Sequence, residues 1–436
     1  MSRIRIVKGK IYEKIGGDLK YYSEANITEI ASETYAEQSV KEISHKGDPG
    51  KPSAGEIKAK CLVQFRPHDK WSGEFGFDWI RMGDNDTGRR GDKYWYRDII
   101  GRYRDTKGKL FQVYDGGKFK KENAQYNLLL KEFSLFNITW KKDIYVVPIL
   151  SLMPNCKSKF TLKIEIKEEP KELIYKINSK YYKLNKYKIS HTTVGKKTLY
   201  NDLEITNIAP HSGYENLDVI AISKDGSEET VGRIRIKPNS SQHQKKITVA
   251  LIKVFNSKGN FSSLNLESRK KEITKYLNQA LIIPTFVTAN IHINRLGQNQ
   301  RKKFLDAYNR YGPVDDDVYE VLYDAMTHFD SQYSKYMKVF FIDDVAGGLY
   351  GKTYDIGVEK KSVIVLTSGF NDSTLAHEAL HAMNLYHTFD NDSKFTFLNF
   401  ETDNVMDYSD IENRKFPVIS TYVWQWKILH DFLKTI

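Results

Sequence analysis

Three histidines fall within eleven residues of this chain, in HEALHAMNLYH at 377–387, and Glu378 directly follows the first of them. With 11 histidines in 436 residues, random placement would produce the spacing H-x3-H-x5-H only about 0.007 times per chain, so the stretch is read as a motif. On a helix, His377 and His381 stand one turn apart on the same face, and both imidazoles can reach one ion. Glu378 is rotated by about 100° from His377, which lets it approach a water at that ion without being a ligand itself. His387 lies ten residues past His377 and would be about 80° out of register on a continuous helix, so the chain must turn before it. Asn384 is placed for that turn, because Asn tolerates the left-handed conformation that ends helices. A helix is expected over 372–383, with Asp372 or Ser373 as its cap. Three histidine ligands would leave a fourth tetrahedral position on one zinc ion.

Beyond spacing, HEALHAMNLYH is similar to the extended zinc motif of the metzincin metallopeptidases, H-E-x-x-H-x-x-G-x-x-H, with Asn384 at the family's Gly. Leu385, Tyr386 and the trailing Thr388-Phe389 resemble the pappalysin branch. NVMDYSD at 404–410 resembles that branch's Met-turn, with Met406 beneath the metal and Tyr408 two residues later. The resemblance implies a zinc endopeptidase in which His377, His381 and His387 hold one Zn2+ and Glu378 is the catalytic base. It implies that Tyr408 ligates the resting metal or bonds the developing oxyanion. It also implies a protein or peptide substrate, bound as an added strand near AGGLYG at 346–351, whose glycines allow close backbone approach. Cys61 and Cys156, the only cysteines, cannot supply the disulfides common in pappalysin-like enzymes. His292 and His328 have no paired partner and read as structural.

The elements that must hold this motif are legible upstream. ITVALIKVF at 247–255 is a continuous apolar strand, a helix near 266–281 carries Ile273, Leu277 and Leu281 on one face, and FVTANIHI, KVFFIDD and SVIVLT are further strands. Strand, helix, strand order with buried apolar runs means an α/β sheet domain. Before it, FTLKIEIK alternates apolar and polar residues, and LDVIAISKDGSEETVGRIRIKP reads as two strands joined at Asp225-Gly226, which suits an immunoglobulin-like sandwich. The expected architecture is therefore multidomain: a leader or delivery segment at 1–55, a β-rich aromatic domain at 56–155, an immunoglobulin-like β-sandwich at 156–244 and a metzincin-like metallopeptidase domain at 245–436.

Charge separates the two halves. Residues 245–436 carry 23 basic and 23 acidic side chains, so the net charge of +12 lies wholly on residues 1–244, with 44 basic against 32 acidic. The lysines are dispersed rather than in blocks, which argues against a nucleic-acid surface. DNDTG at 84–88 opens like a calcium loop but lacks the later acidic ligand, and RGD at 90–92 is three common residues; both read as polar turns. The aromatic run KYWYRD at 93–98 reads as a strand's buried face before a base- or sugar-stacking platform. The N-terminus has no apolar core of a signal peptide, and the longest apolar run, 144–153, contains Pro148 and is too short to span a membrane. The expectation is a chain made in the cytoplasm without a classical signal.

The front 240 residues resemble, more loosely, leader regions of large exported proteins of Bacteroidota, with KGKIYEKIGGD followed by a KGDPGKP linker. That resemblance implies a secreted toxin or effector, loaded into a secretion or contractile injection apparatus through its basic N-terminal half. The competing expectation is a non-catalytic structural or cargo component of such an apparatus, with a metal-binding scaffold.

Overall fold

The computed structural model describes residues 59–82 and 96–434, apart from 139, 142–143, 257–259, 358–360, 372 and 411–416. The leader at 1–55, DNDTG, RGD and Asp372 lie outside the described residues, whereas Ile57–Ile436 form one compact unit. Among the described residues, no helix is long and apolar enough to cross a membrane.

Two antiparallel-rich sheets face each other in the front part. One runs Lys60–Pro67, Lys157–Glu168, Gly195–Asn207, Tyr182–Leu184. The other runs Lys188–Ile189, Glu172–Lys176, Glu215–Ile222, Glu228–Ile236, Ile149–Ser151, Gly76–Asp78. Alternation drives this arrangement: Phe160, Leu162, Ile164 and Ile166 point into a core shared with Phe65, Val219 and Ile234. Strands from both sides of position 155 share these sheets, because the apolar residues of KCLVQFRP complete the face that Lys157–Glu168 leaves open. The turn at Asp225-Gly226 joins its two strands, with Gly226 at φ +86°.

The back part is a five-stranded sheet in the order Ile282–His292, Lys245–Phe255, Met337–Ile342, Ser362–Leu366, Gly351–Thr353. The first four strands are parallel and the last is antiparallel to its neighbour. Their unbroken apolar runs follow from burial on both faces. Val249, Leu251, Val339 and Phe341 pack with the helices Leu266–Gln279 and Thr374–Ala382, while Ala250, Ile252, Phe340 and Ile364 pack with Gln298–Tyr311 and Asp316–Phe329. The first of these helices starts at Asn265, whose side chain accepts from Ser268 N at 3.0 Å.

Residues 96–133 belong to neither sheet system. Ile100–Arg104 pairs with Lys118–Lys121 on one side and with Thr396–Phe397 on the other, which ties this segment to the chain just past the third histidine. Tyr96, from the aromatic run, is buried against Phe397 and Tyr422 and is a core residue.

Candidate metal centre

The helix Thr374–Ala382 follows directly on the strand Ser362–Leu366 and buries Leu375, Ala376, Ala379 and Leu380 against the sheet. Its first turn is not capped by Ser373. Asn371 Oδ1 accepts from Ser373 N at 3.0 Å and Thr374 N at 2.9 Å, and the Ser373 hydroxyl donates to Asp410 at 2.8 Å. At the other end Asn384 has φ +70°. Asn384 N donates to His381 O at 2.9 Å and Leu385 N to Leu380 O at 3.0 Å, the bond pair that closes a helix through one left-handed residue. The chain therefore reverses at Asn384, and His387 returns to the face that carries His377 and His381.

His377, His381 and His387 each offer a ligand atom, and these atoms lie within 4.8 Å of one another. His381 Nε2 is 3.1 Å from His377 Nε2 and 3.1 Å from His387 Nε2. Each opposite nitrogen is engaged: His377 Nδ1 donates to Val405 O at 2.8 Å, His381 Nδ1 to Leu385 O at 2.6 Å, and His387 Nδ1 to Asp390 Oδ2 at 2.9 Å. A proton held on every Nδ1 leaves the Nε2 lone pairs facing inward. Burial and the neighbouring His387 push His377 down to about 3, and His381 is lowered for the same reasons, so these two rings are neutral at ordinary pH. Neutral lone pairs crowded this closely repel unless a cation lies among them. Tetrahedral zinc with bonds of about 2.0–2.1 Å separates its nitrogens by roughly 3.3 Å, close to the spacing found here. The donor set fits a divalent ion.

Glu378 sits half-buried on the same helix. Thr353 Oγ1 lies 2.8 Å from Glu378 Oε2 and 2.7 Å from Glu378 O, so the edge strand Gly351–Thr353 fixes its carboxylate. Burial raises the Glu378 carboxyl to about 7, against the opposing pull of Thr353 and His387. Gly351 has no room for a side chain: a Cβ there would lie 2.9 Å from Glu378 Cγ. Among the described residues no strand pairs with the other side of this edge.

Met406 is fully buried in the turn at 404–408, where Thr388 N donates to Met406 O at 3.0 Å and Met406 N to Asn404 Oδ1 at 2.9 Å. Asp407 locks this turn, accepting from Phe400 N, Thr402 N, Thr402 Oγ1 and Tyr408 N. Tyr408 OH reaches His387 Nε2 at 2.8 Å, and its phenol is raised by burial first and then by Tyr114 and nearby carboxylates. His292 and His328 lie apart from the triad: His292 stacks on Phe255, and His328 Nδ1 donates to Asp324 O within its own helix. Cys61 is buried and Cys156 exposed, both free.

Sequence reasoning missed Asp390, Thr353, Asn371 and Asp407. Asp390, three residues past His387, had a usable signal, because metal-ligating histidines usually give their second ring nitrogen to a carboxylate or carbonyl. Thr353 had none, since only the fold brings it to Glu378.

No protein-family model matches the chain, and no curated protein matches it in sequence. Among solved structures it is similar to metalloproteinase-II from Bacteroides fragilis, at 12% identity over 70% of this chain and 94% of that one, with a TM-score of 0.29. It is similar also to a chaperone–substrate complex, at 9% identity over 56% of this chain and 38% of that one, with a TM-score of 0.25. Likenesses this loose leave the reading of the site to its own geometry. Fold and site together define a β-rich chain with a three-histidine centre able to hold a metal ion.

Proposed function

We propose that the chain is a zinc-dependent endopeptidase of the metzincin type. The observation that carries this reading is the convergence of three Nε2 atoms, each with its Nδ1 pinned, beside a carboxylate held at a sheet edge that pairs with no further strand among the described residues. His377, His381 and His387 would hold the ion, which when bound supplies Lewis acidity toward a peptide carbonyl and toward water. The side of Gly351–Thr353 that pairs with no described strand binds the substrate backbone as an added strand and brings the scissile bond to Glu378. Thr353 occupies Glu378 Oε2, which leaves Oε1 to take a proton from the attacking water and return it to the leaving amine nitrogen. The Tyr408 hydroxyl donates to the oxygen that becomes negative as the carbonyl carbon turns tetrahedral.

The test is direct. Purified protein should contain one zinc per chain and cleave denatured casein, and Glu378→Ala should keep the zinc and lose the cleavage. Zinc binding with no cleavage across a broad peptide library would instead leave a metal-binding scaffold. Export as a toxin or effector, with 1–55 as the delivery segment, is a separate proposal carried by sequence resemblance. Its test is whether deleting 1–55 abolishes appearance of the protein outside the producing cells while casein cleavage by the purified chain persists.

A further inference from the structure

Most sheet edges among the described residues are short, basic or covered. Tyr182–Leu184, Gly76–Asp78 and Gly351–Thr353 have three residues each, and Lys188–Ile189 and Thr396–Phe397 have two. Lys118–Lys121 reads KFKK, and the hairpin of Ser134–Asn137 with Ile144–Val147 has four residues in each strand. The eight-residue edge Lys60–Pro67 is closed by side chains: Trp140 Nε1 donates to Cys61 O at 3.1 Å and the Tyr145 hydroxyl to Val63 O at 3.0 Å. Shortness, lysines and coverings are the devices that keep a sheet from pairing with another chain.

Ile282–His292 departs from all of them. It is 11 residues long, and its sequence IIPTFVTANIH holds no Asp, Glu, Lys or Arg. It pairs with Lys245–Phe255 over its whole length, and among the described residues no strand pairs with its other side. Thr285 Oγ1 reaches Thr248 Oγ1 at 3.0 Å and Ile247 O at 3.4 Å, both on that one neighbour. Pro284, a residue confined to edge strands, protects only the start. Phe286 packs into the core on one face of the sheet and Val287 and Ala289 into the core on the other. The strand is therefore held in place before any partner arrives, which lowers the ordering cost of pairing.

The occupant that this edge fits is its own copy. A two-fold axis normal to the sheet lays the strand antiparallel to itself, so pairing needs no second sequence. Like charges placed opposite each other are the usual bar to self-pairing, and here no register brings any together. Paired along its length, the strand offers about ten main-chain hydrogen bonds, less those Pro284 cannot donate, which is the number a typical stable interface holds. We infer that Ile282–His292 is a dimer interface, at which a second copy of this chain joins antiparallel and the two five-stranded sheets become one continuous sheet. Gly351–Thr353 lies at the far end of the sheet from this interface, so the inference stands apart from the peptidase reading.

Sedimentation velocity of the full chain should show a dimer at about 10 μM, corresponding to a Kd of about 1 μM or below. Thr288 is exposed in the middle of the edge, and Thr288→Lys should weaken the dimer at least about tenfold by setting like charges along the two-fold. Thr288→Glu should do the same, and an equimolar mixture of the two variants should restore a dimer, a result that misfolding cannot give. Hydrogen exchange over 282–292 should slow as wild-type concentration rises and stay constant for Thr288→Lys. A wild type that is monomeric at about 100 μM overturns the inference. So does a dimer whose affinity neither variant changes, which would place the contact elsewhere, and so does exchange over 282–292 that ignores concentration, which would mean that the edge does not take part.

Discussion

Two polar clusters in this molecule, one fully buried and one largely so, differ in what they leave unmatched. Arg81, with no exposed surface, donates to Asp78 at 2.9 Å, to Trp79 O at 2.9 Å and to both oxygens of Asp403 at 3.0 and 3.1 Å, and its guanidinium lies 3.6 Å above the Trp79 ring. Asp78 also accepts from Val423 N at 2.9 Å, so this knot ties the sandwich strand Gly76–Asp78 to the C-terminal helix Val423–Phe432. Its charges face opposite charges. The histidine triad is as well braced on its outer nitrogens, yet its inner nitrogens face each other, and among the described residues the hydrogen offered to them comes from Tyr408. A cluster whose charges meet inside the protein holds the fold; one whose lone pairs meet only each other is built around something else.

The largest expected effect separates chemistry from binding at the triad. Glu378→Gln should lower casein hydrolysis by about 10²–10⁴-fold with zinc content unchanged; parallel loss of zinc would show that Glu378 belongs to the metal-holding set. At the other cluster, Arg81→Met leaves two buried carboxylates without their cation and should lower the unfolding free energy in urea by about 3–5 kcal/mol, whether or not zinc is present. A loss below about 1 kcal/mol would mean that the knot is not structural in the way its geometry suggests.

Asp390→Ala removes the acceptor for His387 Nδ1 and should weaken zinc binding by about 10–100-fold, measured by competition with a chelator, while urea stability of the metal-free chain changes little. The last expected effect is a slope with pH. Burial, only partly offset by a guanidinium shared with Asp403, raises Asp78 to about 6. The folded chain therefore holds a proton there between about pH 4 and 6 that the unfolded chain has released, and stability should fall as pH rises through that window, by up to about 1.4 kcal/mol per unit. Asp78→Asn should remove this component of the pH dependence; an unchanged slope would assign it to other groups.

The triad was legible in sequence because its information is local. Two histidines one helical turn apart share a face on any helix, and the reversal that returns His387 depends on one backbone angle at Asn384, found at φ +70°. The parallel strands were legible for a similar reason, since unbroken apolar runs such as ITVALIKVF follow from burial on both faces. The cap at Asn371 was harder, because Asn, Asp and Ser in succession offer the same chemistry and only backbone geometry decides among them. The sandwich was the least legible part: alternation identifies a strand and its buried face but says nothing about which partner lies beside it, and Lys60–Pro67 pairs with a strand nearly a hundred residues away.

Taken alone, then, the sequence determined which atoms could bind a metal and the turn that gathers them, because spacing and φ act over a few residues. Tertiary structure alone decided that Thr353 holds Glu378, that Arg81 closes on Asp403 and that Tyr114 stands over Phe389. Those contacts join residues from 25 to 322 positions apart, and the packing of whole layers, rather than any local preference, brings their side chains within reach.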